Sequence, residues 1–600
     1  MSPRKRKWIT RLIVGGVLGV ATAAAWWSQK AATDPDSVPA IVNRDVWPWA
    51  RWMLLAVVLI GGYTVSRRWV RARLPGRMQK KSTHEKAAKA TAGLAGWWEI
   101  FRVSGWWSLH ANARVLRPLL TAEMPWWRVW LIPSRQLGIE VAKVHFDGVF
   151  KVVQRVFARV QENTLFLGPT QSGKTQVMAT IVTDHDGAVL VTSTNPNIVE
   201  QTIALRRWTR PSSWWSWLPW RRRPSPMERP VAVFNPLGVG NVPSTFRWQL
   251  LIGCKEPMVA IERAGDLMAG SAGMDGVGNR EFWESQGVSL LGRLLHAAAL
   301  GEQTPMDVWN WVNDPDGSRR QVCRFLGKSP AGDSWVEAHQ GFVDTNNNTR
   351  SSITTTVKPA LAWLQDPQLA ATVMGDPDEQ FDVTEWLSKK GTVYLLAEER
   401  AYSSIAPLFT AFTSYVYSEC KDIASKSLGG RLDPPVRLVL DEAKNICPVP
   451  LQRWATDSAG RGIGIDVGLQ STSQLYEKWG QLPGKTIWNN LTCKAIFGGF
   501  DDPDDLRRLS DACGTVREQD EQGNWQDRRI VPMAQISQLP QWHVLILRRS
   551  MRATFGRVTP VKDRRDVRAA NRKMANASVT APAQWSPAEA ATDQGKVDHG

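Results

Sequence analysis

The sequence predicts an α/β protein with a mostly parallel sheet, an inserted all-helical subdomain and two transmembrane helices at the front. Three observations lead to this fold class. After about residue 135, short apolar runs alternate with helical or loop segments, as in a parallel sheet covered by helices. Residues 253–376 contain no such run. The chain opens with two apolar segments close to the length that a bilayer requires.

These two apolar segments, 9–27 and 47–66, predict a membrane anchor over residues 1–78. Lysine and arginine concentrate on the outer flanks, at 4–7 and 67–77, so the positive-inside rule places both ends in the cytoplasm. A cleaved signal peptide is the alternative for the first segment, because Ala21, Ala23 and Ala25 resemble a cleavage site. In both cases we expect a protein of the plasma (inner) membrane whose remaining chain is cytoplasmic.

Residues 79–134 are interpreted as a membrane-proximal linker region. Tryptophans occur in pairs at 97–98, 106–107 and 126–127. The pairs suit either membrane-proximal helices or a protein core, and the sequence does not decide between them.

The composition restricts the class of protein. Hydrophobic residues make up 43% and charged residues 22% of the chain, which excludes wholesale disorder and a many-span transporter. A net charge of +18 points to a polyanion, either nucleic acid or anionic lipid, with a merely soluble basic surface as the alternative. The six cysteines form no CxxC pair, so we expect reduced thiols and no bound transition metal.

The rest of the chain divides into four parts. Residues 135–252 and 377–562 carry the strand-like runs and predict two parts of one nucleotide-binding domain. Between them, 253–376 predict a helical subdomain, in which Leu290, Leu294 and Ala298 recur at helical spacing. Residues 563–600 are polar and rich in small side chains, which predicts a disordered tail.

One motif specifies phosphate binding. The run from Gly168 to Thr175 matches GxxxxGK[ST] between an apolar run and a predicted helix, as a P-loop requires. Lys174 would bridge the β and γ phosphates of ATP, and the Thr175 hydroxyl would be a ligand of Mg²⁺. The predicted nucleotide-binding residues are Gly168, Pro169, Thr170, Gln171, Ser172, Gly173, Lys174, Thr175 and Gln176.

A second motif supplies carboxylates. The run VRLVLDEA ends in Asp441 and Glu442. Asp441 would hold Mg²⁺, and Glu442 would be the general base. The signal is weak alone, since many strands end in an acidic residue, and it gains weight because it follows a P-loop.

Two further candidates rest on position. Gln470 ends the run GIDVGLQ, where its amide could sense the γ phosphate, and Arg461 precedes that run and could reach a neighbouring subunit's nucleotide. The alternatives are a solvated glutamine and a surface arginine.

A tryptophan- and arginine-rich segment, 205–224, has five tryptophans and six arginines. It could bind single-stranded nucleic acid, lie on an anionic membrane or be a disordered loop.

The motifs together resemble one family. The GPTQSGKT loop, the phrases LVLDEAKNI and AGRGIGIDVGLQSTSQL, the paired apolar segments and the helical insertion are similar to the TraG/TraD-like coupling ATPases of conjugation and type IV secretion. The resemblance covers about Trp47 to Val558.

This resemblance implies a RecA-like motor, working as a homo-hexamer, that hydrolyses ATP with Mg²⁺. Its substrate would be single-stranded DNA carried by a relaxase, or a secreted protein, delivered to inner-membrane channel components. By motif position, Lys174, Glu442, Arg461 and Gln470 take the roles of phosphate lysine, general base, trans-acting arginine and sensor glutamine. In this family the helical insertion is associated with substrate recognition.

Three other functions compete with this one. An ATPase that recruits effector proteins would use the positive charge at the membrane. A double-stranded DNA pump would usually add a C-terminal DNA-reading module, for which the tail after Lys562 is too short. A non-enzymatic scaffold is disfavoured because Asp441 and Glu442 are both present.

Overall fold

The structure is a computed structural model that describes residues 93–146, 152–209, 227–271, 280–330, 332–374, 381–398, 405–519 and 524–580. These residues belong to a compact unit that begins at Gly93. The predicted spans at 9–27 and 47–66 and most of the segment 205–224 lie outside the described residues. Within the described ranges, no helix is both long and apolar enough to cross a bilayer.

A large twisted sheet organises the unit. Its eleven strands follow the order β2-β1-β15-β14-β11-β3-β10-β9-β4-β8-β7. Two small ribbons, β5-β6 and β12-β13, stand apart from it. The strands are β1 Gly138–Phe146, β2 Val152–Arg159, β3 Thr164–Leu167, β4 Val189–Ser193, β5 Trp208–Thr209, β6 Met227–Glu228, β7 Val231–Phe234, β8 Thr392–Leu396, β9 Val436–Leu440, β10 Ile463–Leu469, β11 Cys493–Phe497, β12 Thr515–Gln519, β13 Trp525–Arg529, β14 His543–Arg548 and β15 Met551–Arg557.

The seven strands from β11 to β7 run parallel. All residues of β3, β4, β8, β9, β10 and β11 are buried, because helices cover both faces, and this explains why these strands are mainly apolar. The short apolar runs predicted after residue 135 become strands β3, β4, β7, β8, β9, β10, β11 and β14. At the other edge, β14, β15, β1 and β2 pair antiparallel, and the sequence did not predict β1, β2 or β15.

Helices fill the spaces between the strands. Their bounds are α1 Trp97–Val103, α2 Trp106–Ala111, α3 Ala113–Leu116, α4 Pro118–Thr121, α5 Trp126–Val129, α6 Ser134–Leu137, α7 Lys174–Asp184, α8 Asn197–Arg207, α9 Pro257–Gly270, α10 Arg280–Leu300, α11 Pro305–Asn313, α12 Pro315–Leu326, α13 Gly332–Val343, α14 Asn347–Leu361, α15 Pro367–Ala371, α16 Val383–Ser388, α17 Ala406–Lys426, α18 Ala443–Ile446, α19 Leu451–Asp457, α20 Ser473–Trp479, α21 Gln481–Asn490, α22 Pro503–Ala512, α23 Met533–Ser537 and α24 Arg565–Thr580.

Between β7 and β8 the described chain is helical from α9 to α16. Helix α10 is central here: Leu290, Leu294 and Ala298 are buried in the same core as α9, α12 and α14. Pro305 and Pro315 lie at the first turns of α11 and α12, whose N-caps Thr304 and Asp314 accept backbone N–H groups. These caps fix where α11 and α12 begin.

The prediction of a disordered tail from 563 onward is wrong for its first part. Residues 565–580 form α24, which packs against α8. Val567 is buried, and both terminal nitrogens of Arg564 donate to Asp184 at 2.7 Å, at the end of α7. The composition suits a helix as well as a coil, and this tertiary contact decides the outcome. Residues 581–600 lie outside the described residues.

The first arginine of the segment 205–224 is structural. Arg206 is fully buried in α8 and donates to the Thr392 hydroxyl and to the carbonyls of His185 and Gly187. Its guanidinium therefore ties α8 to the sheet and is not available to a polyanion.

Candidate functional site

The stretch from Gly168 to Gln176 runs from the end of β3 into the first turn of α7, at the carboxyl ends of the parallel strands. Gln171 and Gly173 have left-handed φ angles of 61° and 105°. A Cβ on Gly173 would lie 2.7 Å from the Trp542 ring, so glycine is required there for space as well as for conformation. These conformations let the loop curve back over the N-terminus of α7. The N-terminus of a helix favours anions, because its backbone N–H groups have no partner within the helix.

Lys174 points back across this loop. Its ammonium donates to the carbonyls of Gly168 and Pro169 and lies 3.9 Å from a carboxylate oxygen of Glu442. The side chain is almost fully buried. Burial lowers the pKa of Lys174, while Glu442 and then Asp441 oppose the shift. The cation is therefore held inside the loop, where phosphate oxygens would be stronger partners than carbonyls.

Asp441 follows β9 and connects two distant parts of the chain. One carboxylate oxygen accepts from the Thr175 hydroxyl at 2.8 Å and from the Ser193 hydroxyl at 3.3 Å. The other oxygen is buried and accepts no hydrogen bond from any described residue. Burial raises the pKa of Asp441 to about 6, and Glu442 adds to the rise, whereas the Thr175 hydrogen bond opposes it.

Glu442 lies beside it in a left-handed conformation, with φ 53°. Its second oxygen accepts from the Gln470 side-chain amide at 3.0 Å. Gln470 is in turn fixed by Gln474, whose side chain accepts the Gln470 backbone N–H at 2.9 Å. Because β3, β10 and β9 are neighbours, their carboxyl ends bring Lys174, Gln470 and Glu442 together. The Glu442 backbone is in the left-handed region, and the Gln470 hydrogen bond orients its carboxylate. Strained backbone of this kind is common at functional sites.

Arg461 does not join this cluster. It precedes β10, whereas Gln470 follows it, so the two backbones lie more than about 20 Å apart at about 3.3 Å per strand residue. The Arg461 side chain is one-third exposed and lies 3.6 Å from Asp457. The structure thus places it away from the nucleotide loop of its own chain, at the surface.

Two residues near the loop escaped the sequence analysis. Ser193 ends β4 and contacts Asp441, which could be inferred only by knowing that β4 is the neighbour of β9. Trp542 has a left-handed φ of 66° and packs on Gly173. No sequence signal identifies it. The Gln176 side chain donates to Gln201 at 2.9 Å, which leaves only its backbone for phosphate.

The donor set fits a divalent cation and a polyphosphate. The Thr175 hydroxyl and the Asp441 carboxylate are hard oxygen ligands, and the unpaired Asp441 oxygen is the kind of buried group that Mg²⁺ would satisfy. Ser172 also has a buried hydroxyl with no partner among the described residues. The phosphate loop therefore has Lys174 on its inner side and the Thr175–Asp441 pair next to it.

The comparison with known families addresses residues 435–541. This range, from β9 to the chain before β14, matches the family model described as the TraM recognition site of TraD and TraG. It includes Asp441, Glu442, Arg461 and Gln470.

The resemblance to the TraG/TraD-like coupling ATPases is confirmed.

Solved coupling proteins have the same fold. The plasmid coupling protein TrwB in complex with a non-hydrolysable GTP analogue superposes with a TM-score of 0.51 at 18% identity, over 67% of this chain and 86% of that chain. TrwB in complex with ADP and Mg²⁺ gives 0.50 at 18% identity, over 67% and 85%. The unbound conjugative coupling protein TrwBdeltaN70 gives 0.50 at 19% identity, over 66% and 84%. At this identity the likeness establishes the fold alone, a mixed α/β architecture built on a large sheet. No curated protein matches the chain.

Proposed function

We propose that this chain is a membrane-anchored ATPase that couples ATP hydrolysis to delivery of DNA, single-stranded and bound to a relaxase, into a type IV secretion channel. The coupling-protein fold and the match over 435–541 support a role in conjugation or type IV secretion. The solved relative holds ADP and Mg²⁺, which supports the same ligands here.

The observation that carries the proposal is the hydrogen bond between Thr175 and Asp441. These residues belong to the two motifs that the sequence analysis assigned to one site, and 266 positions separate them. Folding brings the hydroxyl and the carboxylate to 2.8 Å, beside Lys174 and Glu442. A glycine-containing turn without this partner would support phosphate binding at most.

The residues around the loop divide the chemistry among them. Thr175 and Asp441 would hold Mg²⁺, which neutralises charge on the phosphate oxygens when bound. Lys174 would leave the loop carbonyls and pair with the β and γ phosphates. Glu442 accepts a proton from the attacking water, and the Gln470 amide, at 3.0 Å from Glu442, keeps that carboxylate aimed.

The wider features of the proposal rest on the sequence. The apolar segments 9–27 and 47–66 would anchor the protein in the inner membrane, and the net charge of +18 suits DNA phosphates. A homo-hexamer would allow Arg461, at the surface and away from its own site, to reach the neighbouring subunit's nucleotide.

The test uses the purified full-length chain and the Glu442→Gln variant. We expect Glu442→Gln to bind ATP and to hydrolyse it at least about 100-fold more slowly, since removing a general base costs about that much. Glu477→Gln is the matched control, because Glu477 pairs with Lys444 on a neighbouring helix and should not affect turnover. Loss of ATP binding in Glu442→Gln would assign Glu442 a structural role.

The substrate is tested in the same assay with single-stranded and double-stranded DNA over a salt series. Stimulation by single-stranded DNA that fades as salt rises is expected for a motor that contacts phosphates. Preference for double-stranded DNA would favour the pump, and indifference to both DNAs would favour recruitment of protein effectors.

A further inference from the structure

The layer formed by residues 93–137 presents an aromatic surface that the ATPase does not use. Helices α1, α2 and α5 each begin with a pair of tryptophans. Five of these six side chains are 41–72% exposed, and we call them the tryptophan face. Its members are Trp98, Trp106, Trp107, Trp126 and Trp127.

Aromatic contacts link several rings of this layer. Trp98 stacks on Phe101 with centroids 5.5 Å apart, and Phe101 lies 6.5 Å from Trp107. Trp106 lies 5.5 Å from Trp130, one turn beyond the pair in α5. The exposed aromatic area is on the order of several hundred Å², the size at which a surface usually marks an interaction site.

A rigid base supports the face. Ile100, Leu109, Leu116 and Val129, from the same short helices, are buried. Arg117 donates to Asp433, immediately before β9. This contact ties the layer to the amino-terminal ends of the parallel strands, whereas the phosphate loop lies at their carboxyl ends. Occupation of the face would therefore leave the candidate nucleotide site open.

The charge around the rings is positive. Arg102, Arg114 and Arg128 are exposed, and Arg128 lies over the Trp127 ring at 5.1 Å from its centroid. Between residues 97 and 130, all of which the structure describes, Glu123 is the one exposed acidic residue. Glu99 is neutralised by Arg552, with N–O contacts of 2.7 and 2.8 Å.

We infer that the tryptophan face is a peripheral contact with an anionic lipid bilayer. Indole rings favour the boundary between hydrocarbon and head groups, because one edge is apolar and the N–H group is polar. Arginines beside them pair with acidic head groups.

The inference does not depend on ATP hydrolysis. It adds a second membrane contact to the proposed spans, and the face belongs to the compact unit that begins at Gly93. A contact through the tryptophan face would orient this compact unit on the bilayer surface.

The experiment measures tryptophan quenching in the full-length protein on vesicles of phosphatidylcholine and phosphatidylglycerol, with and without brominated acyl chains. The test variant carries Trp98→Phe, Trp107→Phe, Trp126→Phe and Trp127→Phe. Phenylalanine keeps the surface apolar but removes the indole emission. If these four rings lie in the bilayer, the variant loses quenched emission, so its quenched fraction falls below that of the wild type.

The matched control is Trp309→Phe in α11. This helix lies in the insertion between β7 and β8, at the opposite edge of the sheet from β1 and β2. Its substitution removes emission that lipid should not quench, so the quenched fraction should rise. A variant carrying only Trp126→Phe and Trp127→Phe repeats the test, and its quenched fraction should fall by about half as much. ATP turnover is measured for each variant to check that it is folded.

The sign of the change decides the result. A quenched fraction in the four-site variant that equals or exceeds that of the wild type places the rings in water and overturns the inference. Quenching of the same four rings by single-stranded DNA, without quenching by brominated lipid, would assign the face to nucleic acid and overturn it as well.

Discussion

Two buried carboxylates on neighbouring strands have opposite surroundings. Asp466 in β10 accepts hydrogen bonds on both oxygens: Arg437 donates at 2.5 and 2.6 Å, and the Thr164 hydroxyl also donates. Arg437 donates further to the Val160 carbonyl at 2.8 Å, and both side chains of the pair are fully buried. Asp441, after β9, has one oxygen paired with hydroxyls and one with no partner among the described residues.

The difference separates a structural charge from a functional one. A buried charge with every hydrogen bond made is neutralised and fixes the register of the strands that it joins. A buried charge with an unpaired oxygen costs stability and is retained where a ligand completes it. We therefore expect substitutions at the Asp466 pair to affect folding, and substitutions around Asp441 to affect turnover.

The largest expected effect is that of Lys174→Ala on turnover. Removing the buried ammonium from the phosphate loop should lower ATP hydrolysis at least about 10³-fold, because it is the cation nearest the loop carbonyls that phosphates would replace. The measurement is steady-state phosphate release by the full-length protein. Lys444→Ala is the control, since Lys444 follows Glu442 by two residues but pairs with Glu477 at 2.7 Å. Retained hydrolysis in Lys174→Ala would remove the site from the mechanism.

Asp466→Asn should have the next largest effect, on stability. The substitution leaves the fully buried Arg437 without its counter-ion, which costs about 3–5 kcal/mol in other buried pairs. The free energy of unfolding, from denaturant curves, measures it. Arg437→Met combined with Asp466→Asn should recover part of the loss, because no uncompensated charge remains. A double variant no more stable than Asp466→Asn would contradict this account.

Arg461 provides a third, smaller test, because its role depends on a neighbouring subunit. Arg461→Ala should lower turnover at least about tenfold. Trans-acting arginines in P-loop enzymes contribute about 10³- to 10⁵-fold, so tenfold is a low threshold. Mixing Arg461→Ala with Glu442→Gln subunits should restore part of it, since some interfaces then contain one intact Arg461 and one intact Glu442. Asp457→Ala, which removes the surface partner of Arg461 at 3.6 Å, should leave turnover unchanged. No recovery at any mixing ratio would exclude a role in trans.

The sequence predicted the parallel half of the sheet and the location of the site well, for physical reasons. Strands buried on both faces are rich in apolar residues, and the carboxyl ends of parallel strands meet at one edge of the sheet, so motifs after β3, β9 and β10 could be placed together. Strands β1 and β2 were missed because charged residues interrupt their apolar residues, as in GIEVAKVHF and VVQRVFAR, and because β2 is an edge strand.

What the sequence could not supply was the order of the strands and the contacts between distant segments. Ser193 reaches Asp441 only because β4 is next to β9, and Trp542 meets Gly173 only through the fold. The same limit applies to the paired tryptophans. Their spacing gave no sign that five rings would be exposed while Trp97 and Trp130 pack partly inside.

The smallest expected effect is a gain in stability from Asp441→Asn, and it has the opposite sign to that of Asp466→Asn. Burial raises the pKa of Asp441 to about 6, above its ordinary value of 3.8, so the folded state holds a proton that the unfolded state has lost. Stability therefore falls as pH rises through the window from about 4 to about 6, and the loss persists above it. Without Mg²⁺ and nucleotide, Asp441→Asn should be more stable than the wild type at pH 7.5, because asparagine carries no charge that burial would destabilise.

Denaturant unfolding in a chelator at pH 7.5 and pH 5 measures this difference, which should shrink at the lower pH as the wild-type carboxyl gains its proton. Addition of Mg²⁺ and ATP should then stabilise the wild type more than the variant, because only the wild type keeps the carboxylate ligand. A variant less stable than the wild type at pH 7.5 would mean that the Asp441 carboxylate, like that of Asp466, stabilises the folded state. The distinction between a structural and a functional carboxylate would then fail at the site where the structure draws it most clearly.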